Sequence, residues 1–213
     1  MDQAAGCQPQ GRDAGGRFCV TRFSKPAAIL LAATGMSLIL GRTAIAGDLA
    51  AEVTRFSQRN FAEFLDLLAI ENVAADPLDI QRNAAFLEES FRRRGFDVTQ
   101  VNNPAARPAI LAEYRDKVAG AKTVLFYIHF DGQPVIPGEW AQGNPFDPVV
   151  KKRDAGGRWK EVGRDQLLAE PLDLELRVFA RSASDDKAPI MMLLTAIDTL
   201  RAHKKRPAIN IKV

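Results

Sequence analysis

Apolar residues recur at helical spacing from Leu49 to about Ile70, at Val53, Phe56, Phe61, Phe64, Leu65 and Leu68. They do so again from Leu78 to Arg94, at Ile80, Ala84, Phe86, Leu87 and Phe91. Each stripe predicts one amphipathic helix. Gly95 stands where a helix C-terminal cap is expected, and Phe96 to Val101 then alternates like a strand. A further strand is expected at Ala109 to Tyr114. The run Thr123 to Phe130, TVLFYIHF, is almost continuously apolar, β-branched and aromatic, the pattern of a central strand buried on both faces.

The segment VVKKRDAGGRWKEV, between Pro148 and Gly163, reads as a polar, exposed hairpin turning at Ala155-Gly156-Gly157, and Leu174 to Phe179 as a short strand. After Ser184, a plausible helix N-cap, a helix carries Ile190, Leu193, Leu194, Ile197 and Leu200 on one face; beyond Pro207, Ala208 to Val213 is a final strand. Strand, helix and strand in that order indicate an α/β sandwich, with ligands expected at the carboxyl ends of the strands. No internal repeat or low-complexity linker interrupts it.

The first stretch has a different character. Arg12, Arg17, Arg22 and Lys25 precede an apolar run from Pro26 to Leu40, followed by Ala44-Ile45-Ala46. That is the plan of a secretory signal, with removal expected after Ala46 and the remainder, 47–213, exported to the periplasm or the medium. The apolar run is shorter than the roughly 20 residues a spanning helix needs, so no stable membrane insertion is expected after cleavage. Residues 1–46 hold five of the 29 basic and two of the 26 acidic residues, which leaves the rest formally neutral. The basic balance is therefore no argument for a nucleic-acid partner. Runs such as Arg92-Arg93-Arg94 and Lys204-Lys205-Arg206 are expected to be solvated helix ends. Cys7 and Cys19 both precede Ala46, so disulfides cannot hold the exported part together.

Chemistry-bearing residues gather in two places. His129 and Asp131 leave the Thr123 to Phe130 strand on the same side, where a carboxylate can fix the tautomer of an imidazole and raise its basicity as a metal ligand. Asp185 and Asp186 lie in Arg181-Ser182-Ala183-Ser184-Asp185-Asp186-Lys187, a loop entering the last helix. Taken singly, the first is compatible with an ordinary hydrogen-bonded couple and the second with carboxylates offsetting a helix dipole. Their combination is what those ordinary readings leave unexplained.

HFDGQPV, then PFDPV, then ARSASDDKAP is similar in order and spacing to the paired signatures of the clan MH zinc metallopeptidases. That superfamily includes carnosinase-like dipeptidases, glutamate carboxypeptidase, aminoacylase and succinyl-diaminopimelate desuccinylase. The similarity spans roughly Leu49 to Val213. It implies a three-layer sandwich of a mixed, mostly parallel sheet covered by helices, here incomplete. It also implies a two-zinc site in which His129 binds one ion, Asp185 bridges both, and Asp131 orients His129 as the catalytic carboxylate. A cis peptide after Asp185 and a small peptide or N-acyl amino acid as substrate belong to the same expectation. Ser182 and Ala188 stand where the family usually has glycine. The family's Glu-Glu pair, general base and metal ligand, would follow the strand that ends at Val213, as would the later ligands and the lid and dimerisation domain. The chain is therefore expected to bind metal weakly and not to turn over by itself. The competing expectation is a non-catalytic exported binding module on the same scaffold.

Overall fold

Asp76 begins the second helix by accepting hydrogen bonds from the backbone N–H of Leu78 (2.8 Å) and Asp79 (3.4 Å), with Pro77 in the first turn, where a missing N–H costs nothing. This helix, α2 (Pro77–Arg93), buries Ile80, Ala84, Leu87 and Phe91, the residues of the sequence stripe. It ends at Gly95, whose φ of +89° is accessible to glycine at little cost. Before it lies α1, residues 49–69. The computed structural model describes residues 49–101 and 107–213. The chain divides into two units, Met1–Ile45 and Ala46–Val213, and every described residue belongs to the second. The expected signal and its cleavage point lie outside the described residues. Among those residues no helix is long and apolar enough to cross a membrane.

Strands β1 (Phe96–Val101) and β2 (Ala109–Tyr114) pair antiparallel over their full length. Two strands follow in the same sheet, β3 (Thr123–Leu125) and, far along the chain, β7 (Asn210–Lys212), giving the order β1-β2-β7-β3. The sheet is mixed, as expected, but of its three pairings only β3 with β7 is parallel. Val101 and Ala109 lie too close in sequence for a parallel crossover, so that half is antiparallel. A separate three-stranded sheet holds β4 (Val149–Arg153), β5 (Trp159–Val162) and β6 (Arg177–Phe179) in the order β5-β4-β6. The expected hairpin is β4 and β5. The strand before the last helix, β6, thus belongs to a different sheet from β7.

The last helix, α3 (Lys187–Ala202), buries Ile190, Met191, Leu194 and Ile197. It joins Leu67, Leu87 and Phe91 in one core against the sheet face carrying Phe96, Ala112, Tyr114 and Ile211. Phe96 sits edge-on between Phe91 and Tyr114, with ring centroids 5.1 and 5.0 Å apart. Arg94 departs from the expected solvated run. It is buried and bonds Glu63 of α1 at 2.7 Å and Asp198 of α3 at 2.8 Å, so one guanidinium joins all three helices. The opposite sheet face, with Val101, Leu111 and Leu125, is open to solvent, so two of the three expected layers are present among the described residues.

The expected central strand 123–130 is strand only to Leu125, and β3 lies at the sheet edge. The physical reason is the extent of its neighbour. Lys212 accepts from the Phe126 N–H (2.8 Å), and Val213 exchanges two bonds with Ala112 (2.9 and 3.0 Å). Past that point residues 126–130 and the start of β2 face each other across a gap. Their side chains, Ile110, Leu111, Phe126 and Ile128 among them, border an apolar cavity of about 530 Å³ that reaches His129. Alternation along β2 turns the Ile110 N–H to the same side as that of Ala112, toward this gap, and no described residue pairs with it there. Hydrogen exchange followed by NMR should therefore find the Ile110 amide much less protected than that of Ala112. Equal protection would contradict the open gap.

Candidate metal centre

Three segments converge beside α2: the turn after α1 (residues 70–76), the segment leaving β3 (126–132), and the loop entering α3 (180–186). The turn is held first. Asn83 of α2 donates to the Glu71 carbonyl (2.7 Å), and the buried Asp79 carboxylate accepts from the Val73 N–H (3.2 Å). Val73 then bridges in parallel to Gly132, with Gly132 donating to the Asn72 carbonyl (2.7 Å) and Ala74 to the Gly132 carbonyl (2.8 Å). The segment carrying His129 and Asp131 is thus docked on a braced turn.

The second loop is docked on the same turn. The Asn72 side chain is fully buried and donates both to the Phe130 carbonyl (2.7 Å) and to Ser182 Oγ (2.9 Å). A carbonyl oxygen can only accept, which fixes the amide nitrogen on that side. Lys187 is fully buried as well, and its Nζ donates to the carbonyls of Leu67 and Ile70, each at 2.8 Å, at the end of α1. Burial pushes its amine down to about 7 despite the nearby Asp79 carboxylate. A neutral amine retains two N–H donors, enough for both carbonyls.

Between the loops the backbones come very close. A Cβ on Gly132 would stand 2.9 Å from Ser182 Oγ and 3.1 Å from both Arg181 Nε and Asn72 Oδ1. Ser182 itself has φ of +59°, the left-handed region that favours glycine, and so explains why the resembling peptidases usually place glycine there. Arg181 Nε and Asn72 Oδ1 are buried without a hydrogen-bond partner.

This docking brings His129 and Asp185, 56 positions apart, to 2.9 Å between Nε2 and Oδ1. The other ring nitrogen, Nδ1, lies 3.1 Å from the Asp131 carbonyl and 3.3 Å from its carboxylate. Asp131 thus orients the ring, leaving Nε2 toward Asp185, the arrangement expected of a metal-binding histidine and its supporting carboxylate. Burial alone would lower the His129 pKa. The Asp131 carbonyl and the carboxylates of Asp185 and Asp131 outweigh it and raise the pKa above 6.5. The Asp185 side chain is 85% exposed, so the pair opens to solvent. The Asp185-Asp186 peptide is cis, as the resemblance implies.

The expected N-cap Ser184 does not cap α3. That position is Asp186, whose side chain makes no capping bond and instead accepts from the His129 N–H at 3.4 Å. No acidic residue lies within the first turn of α3 itself. His203 is exposed at the far end of α3 against Glu52 (3.1 Å).

One imidazole nitrogen and one carboxylate oxygen stand 2.9 Å apart, side by side at the solvent-open edge of the two loops. Neutral imidazole and carboxylate are the donor chemistry zinc accepts. Among the described residues no group of three or more His, Cys, Asp or Glu side chains converges, so the donors fit a zinc ion but do not complete its shell. Sequence reasoning named His129, Asp131 and Asp185. It missed Asn72, which belongs to no motif, and Lys187, which lies within ARSASDDKAP but was given no role.

Solved structures that share this fold include three peptidases. The di-peptidase Dug1p from Saccharomyces cerevisiae is 19% identical over 76% of this chain and 32% of its own, with a TM-score of 0.58. Human carnosine dipeptidase 1 is 23% identical over 76% and 33%, with a TM-score of 0.55. An M20 family metallo-carboxypeptidase, Sso-CP2 from Sulfolobus solfataricus, is 24% identical over 72% and 29%, with a TM-score of 0.53. The chain spans about a third of the length of these structures. No family model matches it, and neither does any curated protein.

Two predictions follow from the geometry. Gly132→Ala should lower stability by about 1–3 kcal/mol in urea unfolding, because the surrounding polar atoms are buried and already close; an unchanged midpoint would show that the loops separate freely. In metal-free protein the His129 ring should titrate above 6.5 by NMR, and Asp185→Asn should bring it down. Since the folded value is the raised one, the protonated ring contributes stability that is complete below about pH 6.5 and lost as pH rises through the folded pKa. A titration at or below 6.5 would contradict the double carboxylate contact.

Proposed function

We propose that this chain is part of a zinc-dependent hydrolase of the dipeptidase or carboxypeptidase type, cleaving the amide bond of small peptides or N-acyl amino acids. The supporting observation is the 2.9 Å approach of His129 Nε2 to Asp185 Oδ1 from two loops docked on one turn, in a fold shared with dipeptidases and a metallo-carboxypeptidase. His129 and Asp185 would hold metal, with Asp185, mostly in solvent, available to a second ion. A bound zinc would supply Lewis-acid polarisation of the scissile carbonyl and lower the pKa of water. Asp131 fixes the imidazole tautomer and keeps Nε2 directed outward.

Neither Asp131 nor Asp185 is placed as a general base, since both are engaged by His129, and Asp186 accepts from the His129 backbone. A missing base costs about 10²–10⁴ in rate, so turnover depends on a carboxylate beyond this set. Export behind residues 1–46 is part of the same proposal. A second reading, a non-catalytic exported binding module, is favoured by the lack of a three-ligand cluster among the described residues.

The two histidines make the test simple. Zinc titrated into the full chain should shift the ring signals of His129 and leave those of His203 in place, and His129→Ala or Asp185→Ala should abolish saturable binding. Hydrolysis of dipeptides and N-acetyl amino acids by this chain alone should stay at the zinc-free rate. Zinc that leaves His129 unmoved would favour the binding-module reading, and sustained zinc-dependent hydrolysis would overturn the assignment of the base outside these residues.

A further inference from the structure

We propose that Asn72 is a positioning residue of the metal site, setting the separation of His129 and Asp185 from a segment that belongs to neither motif. The inference rests on the metal-site reading. Three observations carry it. The Asn72 amide nitrogen bonds the Phe130 carbonyl, one residue after His129, and Ser182 Oγ, three residues before Asp185. Its backbone carbonyl accepts from Gly132, so the same residue grips the first loop on two sides of Asp131. Its own position is fixed by the buried Asn83 and by Lys187, whose Nζ ties the start of α3 to Leu67 and Ile70.

Direct contacts between the loops do not replace this link. His129 to Asp185 joins exposed groups, and the His129 N–H to Asp186 bond is long at 3.4 Å. By contrast the Asn72 bonds are short and come from a fully buried side chain, the one to Ser182 buried and the one to the Phe130 carbonyl partly so, where a hydrogen bond is stronger and its loss costlier than in open solvent. Side chains that orient metal ligands from behind typically change metal affinity by about 10–100-fold when removed. Asn72 acts one step further back, on the two backbones that carry the ligands.

The experiment compares Asn72→Ala and Asn72→Asp with Ile197→Ala in the full chain. Asp is isosteric but cannot donate to the Phe130 carbonyl. Ile197 lies in the core of α3, 1% exposed and hydrogen-bonded to neither loop through its side chain, so its truncation reports a stability loss alone. Two readouts are taken: the zinc dissociation constant from the His129 ring shifts, and the ring shifts at fixed pH without metal, with Asp185→Ala as reference. Both Asn72 variants should weaken zinc by about 10-fold or more. Without metal they should move the His129 ring signals toward the Asp185→Ala values. Ile197→Ala should lower the unfolding midpoint and leave both readouts within about twofold or unshifted. Asn72 variants that fold and match the parent in the metal-free spectrum would overturn the inference, whatever zinc does. If the parent protein takes no zinc at His129, the metal reading fails, and the metal-free comparison still decides the role of Asn72.

Discussion

The two motif loops meet at the α-carbon of Gly132, and the rest of the site depends on how close that contact is. With three buried polar atoms within 3.1 Å of where a side chain would begin, the loop carrying His129 is seated against the loop carrying Asp185 with no room between. Seating needs glycine on one side and, on the other, a left-handed Ser182 whose hydroxyl accepts from Asn72 and occupies the space a side chain on Gly132 would take. From this follow the short His129 to Asp185 approach, the orientation of the ring by Asp131 and the raised imidazole pKa. The helices contribute by bracing the turn between α1 and α2, through Asn83, Asp79 and Lys187.

Elements whose signal is local were legible in the sequence. The stripes of α1 and α2, the glycine after α2, the alternation of β1 and β2 and the β4–β5 hairpin depend on periodicity and on turn chemistry, and the chain folds accordingly. That His129, Asp131 and Asp185 come together was legible for another reason: their types and spacing stood out chemically, and the fold places His129 2.9 Å from Asp185 and 3.3 Å from Asp131. What failed needed information from far along the chain. TVLFYIHF has the composition of a central strand, yet a strand exists only where a neighbour bonds to it, and β7 reaches no further than Phe126. Arg94 reads as one of three arginines at a helix end, but Glu63 and Asp198 approach it from two other helices and draw it inside. Ser184 has the right chemistry for a cap, but α3 begins two residues later, with Asp186 at the N-cap.

Asn72 and Lys187 were illegible for the same reason in its strongest form. A lone asparagine after a helix carries no periodic or motif signal, and a lysine inside a motif does not announce that it is buried; the importance of both is visible only in what they bond. Both are fully buried and both spend their donors on backbone carbonyls or a hydroxyl of another segment. The site is thus built in two tiers: the solvent-open side chains of His129 and Asp185, and buried donors that set where those side chains stand.

The most direct test of this account is crystallography of the zinc-soaked protein, with anomalous difference maps recorded on either side of the zinc absorption edge. The account predicts an anomalous peak between His129 Nε2 and Asp185 Oδ1, with Asp131 still on Nδ1 and Asn72 still bonded to Phe130 and Ser182. A peak only at His203 and Glu52, or none at His129, would contradict it.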